Sequence, residues 1–81
     1  MKFVYYSAEW CTPCKRVRPW VDAVAKKFGV EVETVNIDQR HVEGLLSVPT
    51  LDIIVGGELL KRIARWSNAS ALAREVEEAV G

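Results

Sequence analysis

The 81-residue chain carries 11 acidic and 11 basic side chains, so its formal net charge is zero at pH 7. Hydrophobic residues make up 49% of it, and the absence of a basic run or an acidic tail argues against a nucleic-acid partner. The N-terminal apolar run is too short for a secretory signal or a membrane span, so we expect a cytoplasmic protein with no membrane partner. This length predicts a single domain over residues 1–81.

The first half of the chain has the pattern of a strand, a helix and a second strand. Residues 3–7 are β-branched and aromatic and lead into the turn-prone EWCTPC, which predicts a strand followed by a loop. From Cys14 onward, apolar residues recur at helical spacing until Gly29, which predicts an amphipathic helix. Residues 30–37 have the pattern of a second strand that is covered on both faces.

The second half begins with a short predicted helix. Asp38 can cap this helix, which runs to about Leu46, and Gly44 weakens it. The segments TLDIIV (50–55) and ELLKRIA (58–64) flank Gly56 and Gly57, so the sequence predicts two strands joined in a tight antiparallel hairpin.

A final helix completes the predicted fold. Asn68 or Ser70 can cap it, and it runs to Val80 with Leu72, Val76, Ala79 and Val80 turned inward. The predicted class is therefore α/β in the order βαβαββα, a four-stranded mixed sheet with three helices distributed over both of its faces.

The only two cysteines, Cys11 and Cys14, lie where the first strand gives way to the first helix. Cys11 falls at the helix N-terminus, where free backbone N–H groups and the helix dipole stabilise a thiolate. Cys14, one turn along, can attack a mixed disulfide formed on Cys11, which releases a reduced substrate and leaves an internal disulfide. We expect Cys11 to face solvent and Cys14 to lie behind it.

A metal site is the alternative interpretation of a close cysteine pair in the cytosol. A structural zinc site needs four ligands, whereas this chain has one histidine and no second CxxC. We therefore expect no metal, and we expect His41 to be a surface residue of the short second helix.

Further segments accompany the cysteine loop AEWCTPCK: NIDQ (36–39) at a strand end, VPT (48–50) before a strand, and Gly57-Glu58 in the hairpin turn. Pro19 lies inside the first helix, where proline kinks a helix. Together, from residue 4 to the C-terminus, these features resemble the thioredoxin family. The resemblance implies a thioredoxin-like fold, a protein-disulfide reductase activity, and a cis Val48-Pro49 bond that faces Cys11.

The same resemblance implies which residues act. Cys11 and Cys14 would be catalytic, with their own redox-active disulfide and no other cofactor. The residues expected to bind substrate around them are Trp10, Thr12, Pro13, Val48, Pro49, Thr50, Arg65 and Trp66.

The chain also departs from the family pattern. The family's N-terminal strand and helix have no counterpart, Thr12 replaces a common glycine, and Arg65-Trp66 replaces a small Gly-containing turn. Tyr5 stands in the place of a buried aspartate and Thr34 in that of its lysine partner. We expect Tyr5 to pack beneath the site with its hydroxyl bonded to Thr34 or water, while water or a carboxylate such as Glu9 takes the Cys14 proton. A further acid, Asp52, is expected to pair with Lys61 or Arg62 on the neighbouring strand.

Three function classes follow. The first is a monomeric thiol–disulfide oxidoreductase for electron transport and cell redox homeostasis. It would be re-reduced by a thioredoxin reductase and would act on disulfide-containing proteins, ribonucleotide reductase among them by family likeness. The second is a glutathione-dependent glutaredoxin, which the small size favours and the WCTPC loop does not. The third is a non-catalytic thioredoxin-like binding subunit.

Overall fold

The computed structural model describes residues 1–45, 47–64 and 66–81. Within them the chain forms six helices and strands, whose bounds are β1 Lys2–Ser7, α1 Thr12–Phe28, β2 Glu31–Asn36, β3 Thr50–Val55, β4 Glu58–Ile63 and α2 Ala69–Val80. The strand order across the single sheet is β2-β1-β3-β4. β1 and β2 are parallel, and the pairs β1/β3 and β3/β4 are antiparallel. The α/β class and the four-stranded mixed sheet are confirmed.

Both helices pack on one face of the sheet, contrary to the prediction of helices on both. Alternate residues of the strands, including Phe3, Tyr5 and Ile53, join apolar residues of α1 and α2 in one core cluster. Val80, expected inside, is 44% exposed. Neither helix of the described residues is long and apolar enough to cross a membrane.

The predicted helix over residues 38–46 is wrong, so the described chain has two helices rather than three. As far as residue 45 this segment forms short turns and irregular loop, and Leu46 lies outside the described residues. The Asn36 carbonyl accepts the N–H groups of Gln39 and Arg40, each at 3.1 Å, and the Asn36 side chain accepts that of Asp38 at 2.8 Å. The two bonds to the Asn36 carbonyl close a single helix-like turn that does not continue. The Asn36 side-chain bond is one that competes with a helix, and the left-handed conformation of Gly44 (φ 77°) is incompatible with a continuing helix. His41 is exposed as predicted, although it lies on a loop.

Short-range sequence signals correctly predicted the turn between β3 and β4, the start of α2 and the end of α1. The hairpin between β3 and β4 turns at Gly56 and Gly57, whose φ angles of 60° and 81° are those that a tight two-residue hairpin requires. α2 begins at the cap Asn68, whose Oδ1 accepts the Ala71 N–H at 2.8 Å. α1 ends at Gly29 as predicted.

Candidate active site

The cysteine pair is built on the first turn of α1. Cys11 is the N-cap, and its Sγ accepts a hydrogen bond from the Cys14 backbone N–H at 3.2 Å. The Cys11 sulfur thus takes the position that the side-chain oxygen of a serine or aspartate N-cap commonly occupies. The two sulfurs form a disulfide whose Cα atoms lie 5.3 Å apart. This geometry offers Cys11 both a backbone N–H and the positive end of a helix, which favours a thiolate there once the bond is reduced.

Both cysteines are buried in this disulfide form, with 3% of each residue exposed. The expectation that Cys11 faces solvent while Cys14 lies behind it is therefore wrong for the oxidised protein. The pair packs into the core cluster beside Ala8 and Tyr5. The two thiols differ instead in their place on the helix, because Cys11 caps it and Cys14 lies inside its first turn.

Asp38 holds the loop that precedes Cys11. Its Oδ1 accepts the indole Nε1–H of Trp10 at 2.8 Å, and its Oδ2 accepts the Glu9 backbone N–H at 3.3 Å. Trp10 is 67% exposed, so its polar edge is fixed while much of the ring faces solvent. The sequence interpretation missed this role of Asp38. Its position just after β2 was a signal, since β1 and β2 are parallel and their C-terminal ends meet at one edge of the sheet.

The predicted cis-proline segment lies at the same edge. The Val48-Pro49 bond is cis, as the resemblance implies. β3 begins at Thr50, opposite Tyr6 near the end of β1, so this segment enters the sheet where β1 leaves it for the cysteine loop. Thr50 is buried, and its hydroxyl donates to the Ser47 carbonyl at 2.8 Å.

The other predicted substrate-binding residues are divided between two places. Thr12 and Pro13 are exposed on the first turn of α1. Trp66 packs against the core, and its Nε1 is buried without a hydrogen-bond partner among the described residues. It lines a surface pocket of about 490 Å³ together with Ser67, Ala71, Arg74 and Glu75. Arg65 lies outside the described residues.

Tyr5 connects the sheet to the cysteine turn. Its hydroxyl donates to the Cys14 carbonyl at 2.7 Å, whereas Thr34, the expected partner, accepts a hydrogen bond from Arg18 Nη1 at 2.6 Å. Tyr5 is 1% exposed, and burial raises the pKa of its phenol to about 12, although the Arg18 guanidinium acts in the opposite direction. At neutral pH the group in the place of the family's aspartate is therefore an uncharged donor.

Tyr5→Phe tests this assignment through stability. Losing the hydroxyl should cost about 1 kcal/mol near pH 7, since the Cys14 carbonyl keeps its place in the helix. Because the folded pKa of Tyr5 is about 12 and the usual value is 10.0, the folded state keeps a proton that the unfolded state loses at high pH. The stability that follows from this difference in pKa is fully present below about pH 10 and is lost as the pH rises towards 12.

Urea unfolding of wild type and Tyr5→Phe between pH 8 and pH 11 measures the pH-dependent stability that Tyr5 contributes. The free energy of unfolding should fall more steeply with pH in wild type, so the two curves converge. Parallel curves would show that Tyr5 titrates at the same pH in the folded and unfolded chains.

Within residues 1–45, 47–64 and 66–81, no group of three or more His, Cys, Asp or Glu side chains could hold a metal ion.

Comparison with known proteins agrees with this geometry. The family model described as Thioredoxin matches residues 1–78. The thioredoxin of Streptomyces clavuligerus is 37% identical over 76 residues, which cover 88% of this chain and 71% of that protein. A bifunctional thioredoxin reductase/thioredoxin of Mycobacterium leprae is 30% identical over 84 residues, covering 95% of this chain and 18% of that protein. The solved structure of thioredoxin 1 from Thermosipho africanus superposes with a TM-score of 0.84 at 25% identity and covers 99% of this chain and 94% of its own.

Proposed function

Because this chain belongs to the thioredoxin family and is a thiol–disulfide oxidoreductase, we propose that Cys11 is its attacking thiol and Cys14 its resolving thiol. The observation that carries this assignment is the N-cap position of Cys11, whose sulfur accepts the Cys14 N–H. In the forward reaction the Cys11 thiolate attacks a substrate disulfide and releases one substrate thiol. Cys14 then attacks Cys11, the second substrate thiol leaves, and the Cys11–Cys14 bond holds the two oxidised sulfurs.

The substrate surface in this proposal surrounds the cysteine turn. Trp10, Thr12 and Pro13 would contact the substrate from one side, and the Val48–Thr50 segment from the other, where its backbone can pair with an extended peptide. Trp66 and its sequence neighbour Arg65 would border this surface, the first as an aromatic contact and the second as a positive charge. The support for this arrangement is that the cysteine loop and the cis-proline segment meet at one edge of the sheet.

The proposed electron donor is a thioredoxin reductase, supported by the Mycobacterium leprae relative, whose name joins the two activities in one protein. The proposed setting is cytoplasmic, with the single domain of residues 1–81 acting as a monomer in cell redox homeostasis. Ribonucleotide reductase is the proposed client among disulfide-containing proteins, on family likeness. The redox-active disulfide would be the only prosthetic element required.

A coupled assay tests the donor. Reduction of a protein disulfide is followed with NADPH and thioredoxin reductase, and separately with NADPH, glutathione reductase and glutathione. We expect turnover with the first system and background rates with the second, and the Cys11→Ser/Cys14→Ser double variant should be inactive in both. Turnover with glutathione alone would identify a glutaredoxin. Inactivity of wild type with both systems would favour the binding-subunit alternative.

A further inference from the structure

A pocket of about 230 Å³ opens beside the resolving cysteine. Its lining residues are Tyr5, Ser7, Ala8, Glu9, Cys14, Lys15, Arg18 and Asn36. It is therefore bounded by β1, the loop that follows β1, the first turns of α1 and the end of β2. The pocket therefore brings solvent close to Cys14, a residue that is itself only 3% exposed.

The described charged groups that line this pocket are Glu9, Lys15 and Arg18. Two of the three are cations, and the Tyr5 phenol from β1 is neutral at pH 7, since its pKa, raised by burial to about 12, lies far above that pH. The pocket thus places net positive charge beside Cys14, where the family pattern has an acid. A carboxylate there can accept a proton, whereas a cation stabilises the thiolate that remains after the proton has left.

Arg18 is the cation whose position is most strongly fixed. It follows Cys14 by one helical turn, so the two residues share a face of α1, and both line the pocket. Its Nε donates to Asp22 Oδ1 at 3.0 Å and its Nη1 to Thr34 Oγ1 at 2.6 Å. The guanidinium carbon also lies 5.6 Å from the centre of the Tyr5 ring.

We propose that Arg18 supports the resolving step by stabilising the thiolate form of Cys14 through its positive charge. This inference rests on the proposed roles of the two cysteines. In this step the Cys14 proton leaves to water in the pocket, and the thiolate attacks Cys11 Sγ of the mixed disulfide. The Cys11–Cys14 bond forms, the Cys11–substrate bond breaks, and the substrate leaves as a thiolate that takes a proton from solvent.

A pH-jump experiment on the intact chain tests Arg18. The reduced protein is mixed at low pH with an aromatic disulfide whose thiol is coloured, which loads Cys11. The pH is then raised, and release of the second coloured thiol reports the attack by Cys14. The rate measured over a range of pH gives the midpoint at which the Cys14 thiolate forms.

Arg18→Gln should raise this midpoint and slow release about threefold to tenfold below it, because removing a positive charge from the pocket disfavours the thiolate. The Arg18 side chain is 39% exposed, so the difference from wild type should shrink in high salt. Asp22→Asn removes the charge that partly neutralises Arg18 and should move the midpoint down. Arg16→Gln is the matched control, since Arg16 is exposed on the same helix and the net charge changes equally.

The outcomes separate the two proposals. Equal midpoints for Arg18→Gln and Arg16→Gln, with normal loading and release in wild type, would overturn the role of Arg18 alone. Failure of wild type to load Cys11, or to release the second thiol, would overturn the cysteine assignment itself. An opposite shift in Asp22→Asn supports the electrostatic role even where Arg18→Gln folds poorly.

Discussion

Cys11→Ser should abolish disulfide reduction, whereas Cys14→Ser should still attack substrates and become trapped on them. Removing a nucleophile typically lowers turnover by about 10³-fold or more, because the remaining groups bind the substrate without forming the covalent intermediate. The physical basis is the position of each sulfur on α1. Cys11 Sγ accepts a backbone N–H at the positive end of the helix. Cys14 lies inside the first turn, and its carbonyl accepts a hydrogen bond from the Tyr5 hydroxyl.

Two measurements check this asymmetry. Mass spectrometry of each single variant incubated with a disulfide protein should find a covalent adduct on Cys11 in Cys14→Ser. The Cys11→Ser variant should give none. In the reduced wild type, alkylation at pH 7 should modify Cys11 much faster than Cys14. Equal alkylation rates, or an adduct on Cys14, would contradict the assignment.

The sequence predicted the elements whose signals are local. The spacing of apolar residues in α1, the stop at Gly29 and the paired glycines of the hairpin each act within a few residues, and the structure has all three. The same holds for the cap Asn68, which was one of two candidates.

What the sequence could not predict depends on contacts between distant residues. Asp38 was expected to cap a helix, yet its carboxylate bonds Trp10 and Glu9, which lie 28 and 29 positions away. Tyr5 and Thr34 are register partners on parallel strands, which made a bond between them a reasonable expectation. The tyrosine side chain is instead long enough for its hydroxyl to reach the Cys14 carbonyl in the first turn of α1.

The sheet face opposite the helices contains the charge pair that the sequence did predict. Asp52 on β3 is paired with Arg62 on β4 in the strand register, and the guanidinium forms two hydrogen bonds to the carboxylate, at 2.7 and 2.8 Å. The Arg62 Nη1 also donates to the Gly44 carbonyl at 3.2 Å. The carboxylate side chain is 3% exposed and the guanidinium side chain 32%. The pair therefore ties the loop that precedes the cis-proline segment to the sheet.

Arg62→Met should lower the free energy of unfolding by about 2–4 kcal/mol, because it leaves the buried Asp52 carboxylate without its partner. The Asp52→Leu/Arg62→Met double variant should recover much of that loss, since no unpaired charge is then buried. Lys61→Met is the matched control on the same strand. Lys61 forms an ion pair with Glu75 at 2.6 Å between side chains that are 36% and 41% exposed, and such surface pairs add little to stability because water screens them. Urea unfolding at neutral pH measures all three variants. Equal losses in Arg62→Met and Lys61→Met would mean that Asp52 reaches water when its partner is removed, and that the pair adds little to the stability of the fold.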